Sequence, residues 1–255
     1  MSIFMSRDKK RKAAPRTQEH IETIGSNVSF AAKEAYKLLR TNLSYILSGD
    51  EAGACRIIGV TSSLRGEGKS TTSINLTYVL AEMNRRVLLI EGDLRLPTLQ
   101  KKLKKTVEQG LSGILAGTAD FEECRQSVET VTASDEVVRF DILTAGEIPP
   151  NPSELLGSGR MKALMNRLAG QYDYIVLDLP PVTAVTDALI ATKIVDGLII
   201  VVRNNYTDRS SLNETLRQIQ LVNGRILGFV MTCANAAKGA YGRKYRYRYY
   251  KREYK

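Results

Sequence analysis

The chain has 255 residues, with 37 lysines and arginines against 27 acids and a formal net charge of +10. That length suits one α/β domain with short extensions, and the composition, 43% hydrophobic and 25% charged, excludes collagen-like and low-complexity chains. Three cysteines far apart (Cys55, Cys124, Cys233) exclude a disulfide framework, and a single histidine, His20, excludes serine–histidine chemistry.

From the N-terminus, residues 1–27 read as a flexible basic segment. Arg7, Lys9, Lys10, Arg11, Lys12 and Arg16 face only Asp8 among the first sixteen residues, a local charge of +5. The segment has no apolar core of a secretion signal, and no apolar run in the chain approaches the ~18 residues that span a bilayer. A domain over 28–237 follows. It opens with a helix from Ser29 to Ile46, whose Ala35, Leu38, Leu39, Leu43 and Ile46 fall at helical spacing. Short apolar, β-branched runs then recur at 56–61, 87–91, 140–143, 174–178, 198–202 and 226–231. Helical patterns at 69–83, 153–168, 187–194 and 209–222 separate them. This alternation predicts an α/β fold, a doubly wound and mostly parallel sheet with helices on both faces. Ligands of such a sheet gather at the carboxyl ends of its strands. Residues 94–133 resist assignment and read as an excursion over that edge.

The run at 56–61 leads into Ser62-Ser-Leu-Arg-Gly-Glu-Gly-Lys-Ser-Thr71 and then a helical pattern. This meets the G-x-x-x-x-G-K-[ST] phosphate-loop template at Gly68, Lys69 and Ser70, with Ser63 in place of its first glycine. Gly66 and Gly68 let backbone amides turn inward around phosphate oxygens, and the helix start adds partial positive charge. The predicted ATP contacts are Ser63, Gly66, Glu67, Gly68, Lys69, Ser70 and Thr71. Lys69 is placed to bridge the β- and γ-phosphates, and Ser70 to offer its hydroxyl to Mg²⁺.

Two strand ends supply carboxylates. Glu91 and Asp93 close the run Leu88-Leu-Ile-Glu-Gly-Asp, and Asp178 closes Tyr174-Ile-Val-Leu-Asp. Asp178 is the expected metal carboxylate, with Ser70 and Glu91 beside it. Glu91 and Asp93 sit where an attacking hydroxyl could be oriented or deprotonated. Lys69, Glu91, Asp93 and Asp178 are therefore the candidate catalytic set.

The chain ends in a basic tail, 238–255, where eight cations face only Glu253 for a charge of +7. Tyr241, Tyr245, Tyr247, Tyr249, Tyr250 and Tyr254 crowd into it, six of the twelve tyrosines of the chain. Such a tail reads as a set of phosphate acceptors, or as an aromatic-studded arm for anionic membranes or nucleic acid.

From about Glu34 to the C-terminus the sequence resembles the bacterial tyrosine kinases of the capsule and exopolysaccharide type, in their cytosolic form. The matching pieces are Thr61–Thr71, Leu88–Pro97, Asp178–Pro181, Ala145–Leu156, Val185–Ala188, Val201–Arg203 and the tyrosine tail. The resemblance implies a P-loop fold of the deviant-Walker type shared with septum-site and partition ATPases. It also implies ATP and Mg²⁺ as cofactors and Arg203 as a further ATP contact. The six tail tyrosines become autophosphorylation sites, used in trans within a ring oligomer. The implied partner is a separate membrane-anchored activator of the polysaccharide co-polymerase type, which recruits a cytoplasmic chain to the inner membrane face. The trans substrates lie in polysaccharide precursor synthesis. The family's self-association helix, E-x-x-R-x-x-R, maps onto Glu34, Lys37 and Arg40. Glu91 stands where the family usually has aspartate, Arg65 where proline is common, and Thr232 where asparagine is common. The competing reading is a partition- or septum-site-like ATPase switch that binds membrane or nucleic acid through basic tails. Such switches typically carry an extra lysine at the position of Leu64, and their tails lack the tyrosines.

Overall fold

The computed structural model describes residues 28–48, 54–103, 109–131 and 136–234. His20, the N-terminal basic segment and all six tail tyrosines lie outside the described residues. In chain order the elements are α1 (Phe30–Ile46), β1 (Arg56–Ser62), α2 (Lys69–Ala81), β2 (Val87–Glu91), α3 (Leu99–Leu103), α4 (Leu111–Ala116), α5 (Phe121–Cys124), β3 (Gln126–Val131) and β4 (Val137–Leu143). Then follow α6 (Pro152–Leu156), α7 (Gly159–Ala169), β5 (Tyr174–Asp178), α8 (Asp187–Ala191), β6 (Gly197–Arg203), α9 (Arg209–Leu221) and β7 (Ile226–Thr232).

The strands form one sheet in the order β3-β4-β2-β5-β1-β6-β7, with every pairing parallel except β3 with β4. Its central strands are buried on both faces, which is why they read as unbroken apolar runs. Period-two alternation divides them between two cores. Leu88, Ile90, Ile175, Leu177, Leu198 and Ile200 pack with side chains of α4–α9. Leu89, Val176, Ile199, Val201, Ile58 and Val60 pack against α1 and α2. Each fully buried Leu or Ile contributes about 1.5–3 kcal/mol, so this pattern fixes the sheet register. α2 runs through the second core, and every residue from Thr72 to Ala81 is buried.

Local chemistry sets the boundaries. Ser29 caps α1, accepting from Ala32 N at 3.3 Å. Asp208 caps α9, accepting from Ser211 N at 2.8 Å. The structure departs from the sequence reading in two places. The expected helix over 153–168 is broken: Gly157 N bonds back to Ser153 O, and the Ser158 side chain caps α7 through Met161 N at 3.2 Å. Ser158 is thus an N-cap and not helix interior. The excursion 94–133 is also only partly one. It holds α3, α4 and α5, but then returns as β3, which pairs antiparallel with β4 from Gln126↔Ile142 to Val131↔Val137 and extends the sheet. That pairing also starts β4 three residues earlier than the pattern predicted.

Candidate active site

β1 delivers the phosphate loop to the carboxyl edge of the sheet. Gly66 and Gly68 adopt φ of +80° and +97°, a left-handed backbone that side chains disfavour. A Cβ on Gly68 would also meet Thr232 Cγ2 at 3.1 Å. The loop is held from three neighbouring strand ends. After β5, Thr183 Oγ1 donates to Ser63 O at 2.5 Å and Val182 N to Ser62 O at 2.9 Å. After β6, Arg203 Nη1 donates to Gly66 O at 2.9 Å and Tyr206 Oη to Arg65 O at 3.1 Å. From the end of β7, Thr232 Oγ1 donates to Glu67 O at 2.7 Å.

Two of the predicted ATP contacts turn their side chains inward. Ser63 is fully buried and its Oγ accepts from Thr215 of α9 at 2.9 Å. Glu67 is fully buried too; its carboxylate accepts from Leu64 N at 2.7 Å and from the Thr207 hydroxyl. Their backbones remain to line the loop. Arg203 grips the loop carbonyl and lies 5.2 Å over the Tyr206 ring.

The carboxylates meet the start of α2. Asp178 and Glu91 face each other in register on β5 and β2. Asp178 is buried, and Ser73 Oγ donates to its Oδ1 at 3.1 Å. Burial pushes its carboxyl up, opposed by the Lys69 charge and the Ser70 and Ser73 hydroxyls. Asp93 is half-buried and accepts from Leu96 N at 3.1 Å. Burial raises it as well, against the Leu96 amide and the Lys69 charge. The Lys69 charge acts on both acids. Glu91 differs. It is fully buried, and its two oxygens accept from the amides of Thr98, Leu99 (2.7 Å) and Ala145 (3.1 Å). Burial pushes it up while those amides hold it down. Its carboxylate is engaged by backbone and pins the start of α3.

The donor set fits a hard divalent cation. Ser70 Oγ and Asp178 share one corner and supply only oxygens, and Mg²⁺ needs one or two protein ligands because it keeps its waters. Among the described residues no group of three or more acids, histidines or cysteines forms a denser metal cage.

The sequence reading missed several residues around this edge. Thr98 Oγ1 donates to Ser70 Oγ at 3.2 Å, and Lys102 Nζ to Thr71 Oγ1 at 3.1 Å. Arg95 forks onto the buried Asp187, Nε at 2.9 Å and Nη2 at 3.3 Å, and Nη2 also donates to Ser153 Oγ at 2.8 Å. The D-L-R and V-T-D-A motifs held the signal for that clamp, but only the fold brings them together. Lys102 had no signal beyond following β2.

The proposed self-association stripe is split. Glu34 and Lys37 pair with each other at 3.1 Å on the surface. Arg40 instead docks α1 onto α2, donating to Val79 O at 2.6 Å with Glu82 at 3.7 Å. Among the described residues, no helix is long and apolar enough to cross a membrane.

Comparison with known proteins places this geometry. Residues 55–228 match the family model described as an AAA domain. YwqD, a tyrosine-protein kinase of Bacillus subtilis (strain 168), is 35% identical over 217 residues, covering 83% of this chain and 86% of that protein. The kinase domain of the Escherichia coli tyrosine kinase ETK aligns with a TM-score of 0.71 at 28% identity, over 90% of this chain and 89% of that one. The septum site-determining protein MinD of Pyrococcus horikoshii OT3, complexed with Mg-ADP, aligns with a TM-score of 0.54 at 27% identity, over 69% of this chain and 70% of that one. A phosphate loop beside strand-end acids on this sheet, together with these relatives, identifies the chain as an ATP-binding P-loop enzyme that belongs to the bacterial tyrosine kinases of the capsule and exopolysaccharide family.

Proposed function

We propose that the chain uses ATP and Mg²⁺ to phosphorylate its own tail at Tyr241, Tyr245, Tyr247, Tyr249, Tyr250 and Tyr254, in trans within a ring, and so regulates polysaccharide synthesis and export. The observation that carries this is the loop with left-handed Gly66 and Gly68 leading into α2, whose Ser73 Oγ donates at 3.1 Å to the buried strand-end Asp178. The left-handed Gly66 and Gly68 present backbone amides to the phosphates, and Lys69 neutralises charge at the β,γ-bridge. Ser70 and Asp178 would hold Mg²⁺, which when bound draws charge from the phosphates. Asp93, only half-buried and with the Leu96 amide on one oxygen where Glu91 has amides on both, is the better placed acid to orient the incoming tyrosine hydroxyl or take its proton. Glu91 acts through the backbone it positions.

The basic, tyrosine-bearing tail is drawn to the acidic site of a neighbour. Each phosphate adds about −1.5 to −2 charges, so a fully modified tail changes sign and is released. Glu34 and Lys37, free of α2, supply the polar part of the ring contact, whereas Arg40 supports it by holding α1 in place. A membrane-anchored activator recruits the chain to the inner membrane face. The higher likeness to ETK than to MinD supports a kinase over a partition-type switch.

The test mixes wild type with a mass-tagged Lys69→Met chain, with and without the activator's cytosolic segment. Phosphotyrosine on the tagged inactive chain, increased by the segment, is expected. Phosphate confined to the untagged chain contradicts transfer in trans, and equal rates in both arms contradict activator dependence.

A further inference from the structure

α3 lies across the first turn of α2 at the corner where Ser70 and Asp178 meet. Thr98 and Lys102 are four residues apart, so one helix face carries both contacts. Thr98 Oγ1 donates to Ser70 Oγ at 3.2 Å and Lys102 Nζ to Thr71 Oγ1 at 3.1 Å. Glu91 fixes the register of that face by binding the amides of Thr98 and Leu99. A second lysine therefore reaches the phosphate loop from outside the G-K-S-T motif. Asp178 is buried at the same corner, held by Ser73 of α2 at 3.1 Å. An anion buried to this degree needs positive charge nearby. Lys69 must serve the phosphates once nucleotide binds, and Lys102 is a second lysine on this flank.

We propose that Lys102 is the resident cation of the Ser70–Asp178 corner: it balances Asp178 before metal binds, opposes the entry of a divalent cation, and thereby sets the metal affinity of the kinase. The inference rests on reading Ser70 and Asp178 as the metal corner. An ammonium beside an incoming double charge is repelled, and in a partly buried setting the screening is weak. The four-carbon stem lets the Lys102 ammonium shift while the Thr71 hydroxyl stays in α2. Metal entry also requires Ser70 Oγ to exchange its bond from Thr98 for the cation, so both contacts of α3 loosen together.

The test is a Mn²⁺ titration of the full-length, ADP-saturated protein, with free Mn²⁺ read by electron paramagnetic resonance. Wild type, Ser70→Ala, Lys102→Gln and Lys102→Arg are compared. Ser70→Ala should weaken binding. Lys102→Gln should tighten it roughly three- to thirtyfold by removing one like charge from the corner. Lys102→Arg, which keeps the charge, should stay near wild type. If Ser70→Ala weakens binding but Lys102→Gln matches or falls below wild type, the role of Lys102 is overturned while the corner stands. If Ser70→Ala leaves binding unchanged, the metal corner itself is wrong and the inference falls with it. Tightening by Lys102→Arg as large as by Lys102→Gln also overturns it, because shape and not charge would then govern.

Discussion

The two flanks of the nucleotide edge are built on different plans. The phosphate loop is stitched by many small ties from separate strand ends, the turns after them and α9: Thr183, Arg203, Tyr206, Thr207, Thr215 and Thr232 each contribute one hydrogen bond. The β2–α3 corner is gathered chiefly by one carboxylate: Glu91 takes amides from Thr98, Leu99 and Ala145, and Thr98 and Lys102 add side-chain ties to α2. Distributed ties make a loop that keeps its shape when one is lost. A dominant buried acceptor concentrates much of the hold on one side chain. The difference suits their tasks, because phosphate positioning demands a fixed cradle whereas metal and acceptor must enter and leave.

The largest effect is expected at Lys69, which no tie on either flank can replace. Lys69→Met should lower the phosphotransfer rate by about 10³-fold or more while the fold melts normally. Single-turnover transfer of labelled phosphate checks this. Next comes Glu91→Gln, which leaves one acceptor oxygen and a donor amide facing three N–H groups. It should destabilise the protein by about 1–3 kcal/mol, read from the denaturant midpoint, and slow phosphotransfer through a loosened α3. Unchanged stability would show that the corner is held otherwise.

Asp178→Asn should separate function from stability. Burial raises the Asp178 carboxyl, so the folded state binds its proton more tightly than the unfolded chain does. The sign follows: the charged form costs folding energy, and stability falls as pH rises from about 4, the ordinary aspartate value, through the raised one. The Asn variant should lose kinase activity yet melt higher than wild type in EDTA at neutral pH, with the advantage fading toward pH 4. A lower melting temperature at pH 7 would mean that Lys69 and Lys102 more than offset the burial. The smallest effect belongs to the stitched flank. Thr232→Val removes one hydrogen bond to Glu67 O, and should cost about 0.5–1.5 kcal/mol with a modest rise in the KM for ATP. A loss as large as that of Glu91→Gln would erase the contrast between the flanks.

Much of this was legible before the fold. The phosphate loop could be read because glycine, lysine and hydroxyl spacing is dictated by phosphate geometry. The central strands could be read because burial on both faces forces continuous apolar runs. β3 could not, because Gln126-Ser-Val-Glu-Thr-Val131 is an edge strand whose polar alternation differs little from a loop. The amide contacts of Glu91 were hidden for another reason. An acid at a strand end looks the same whether it faces a metal or three amides, and only the path of the chain around it decides. Lys102 and the Arg95–Asp187 clamp likewise depend on segments far apart in sequence meeting at one edge.

The central claim is that this edge transfers phosphate to tyrosine. Intact mass of the purified full-length chain, incubated with ATP and Mg²⁺ beside its Lys69→Met and Asp178→Asn variants, tests it most directly. Wild type should gain mass in steps of about 80 Da, one per phosphoryl group, located to tyrosine, and both variants should gain none. Constant wild-type mass with ongoing ATP hydrolysis, or equal gains in the Lys69→Met chain, would contradict the account.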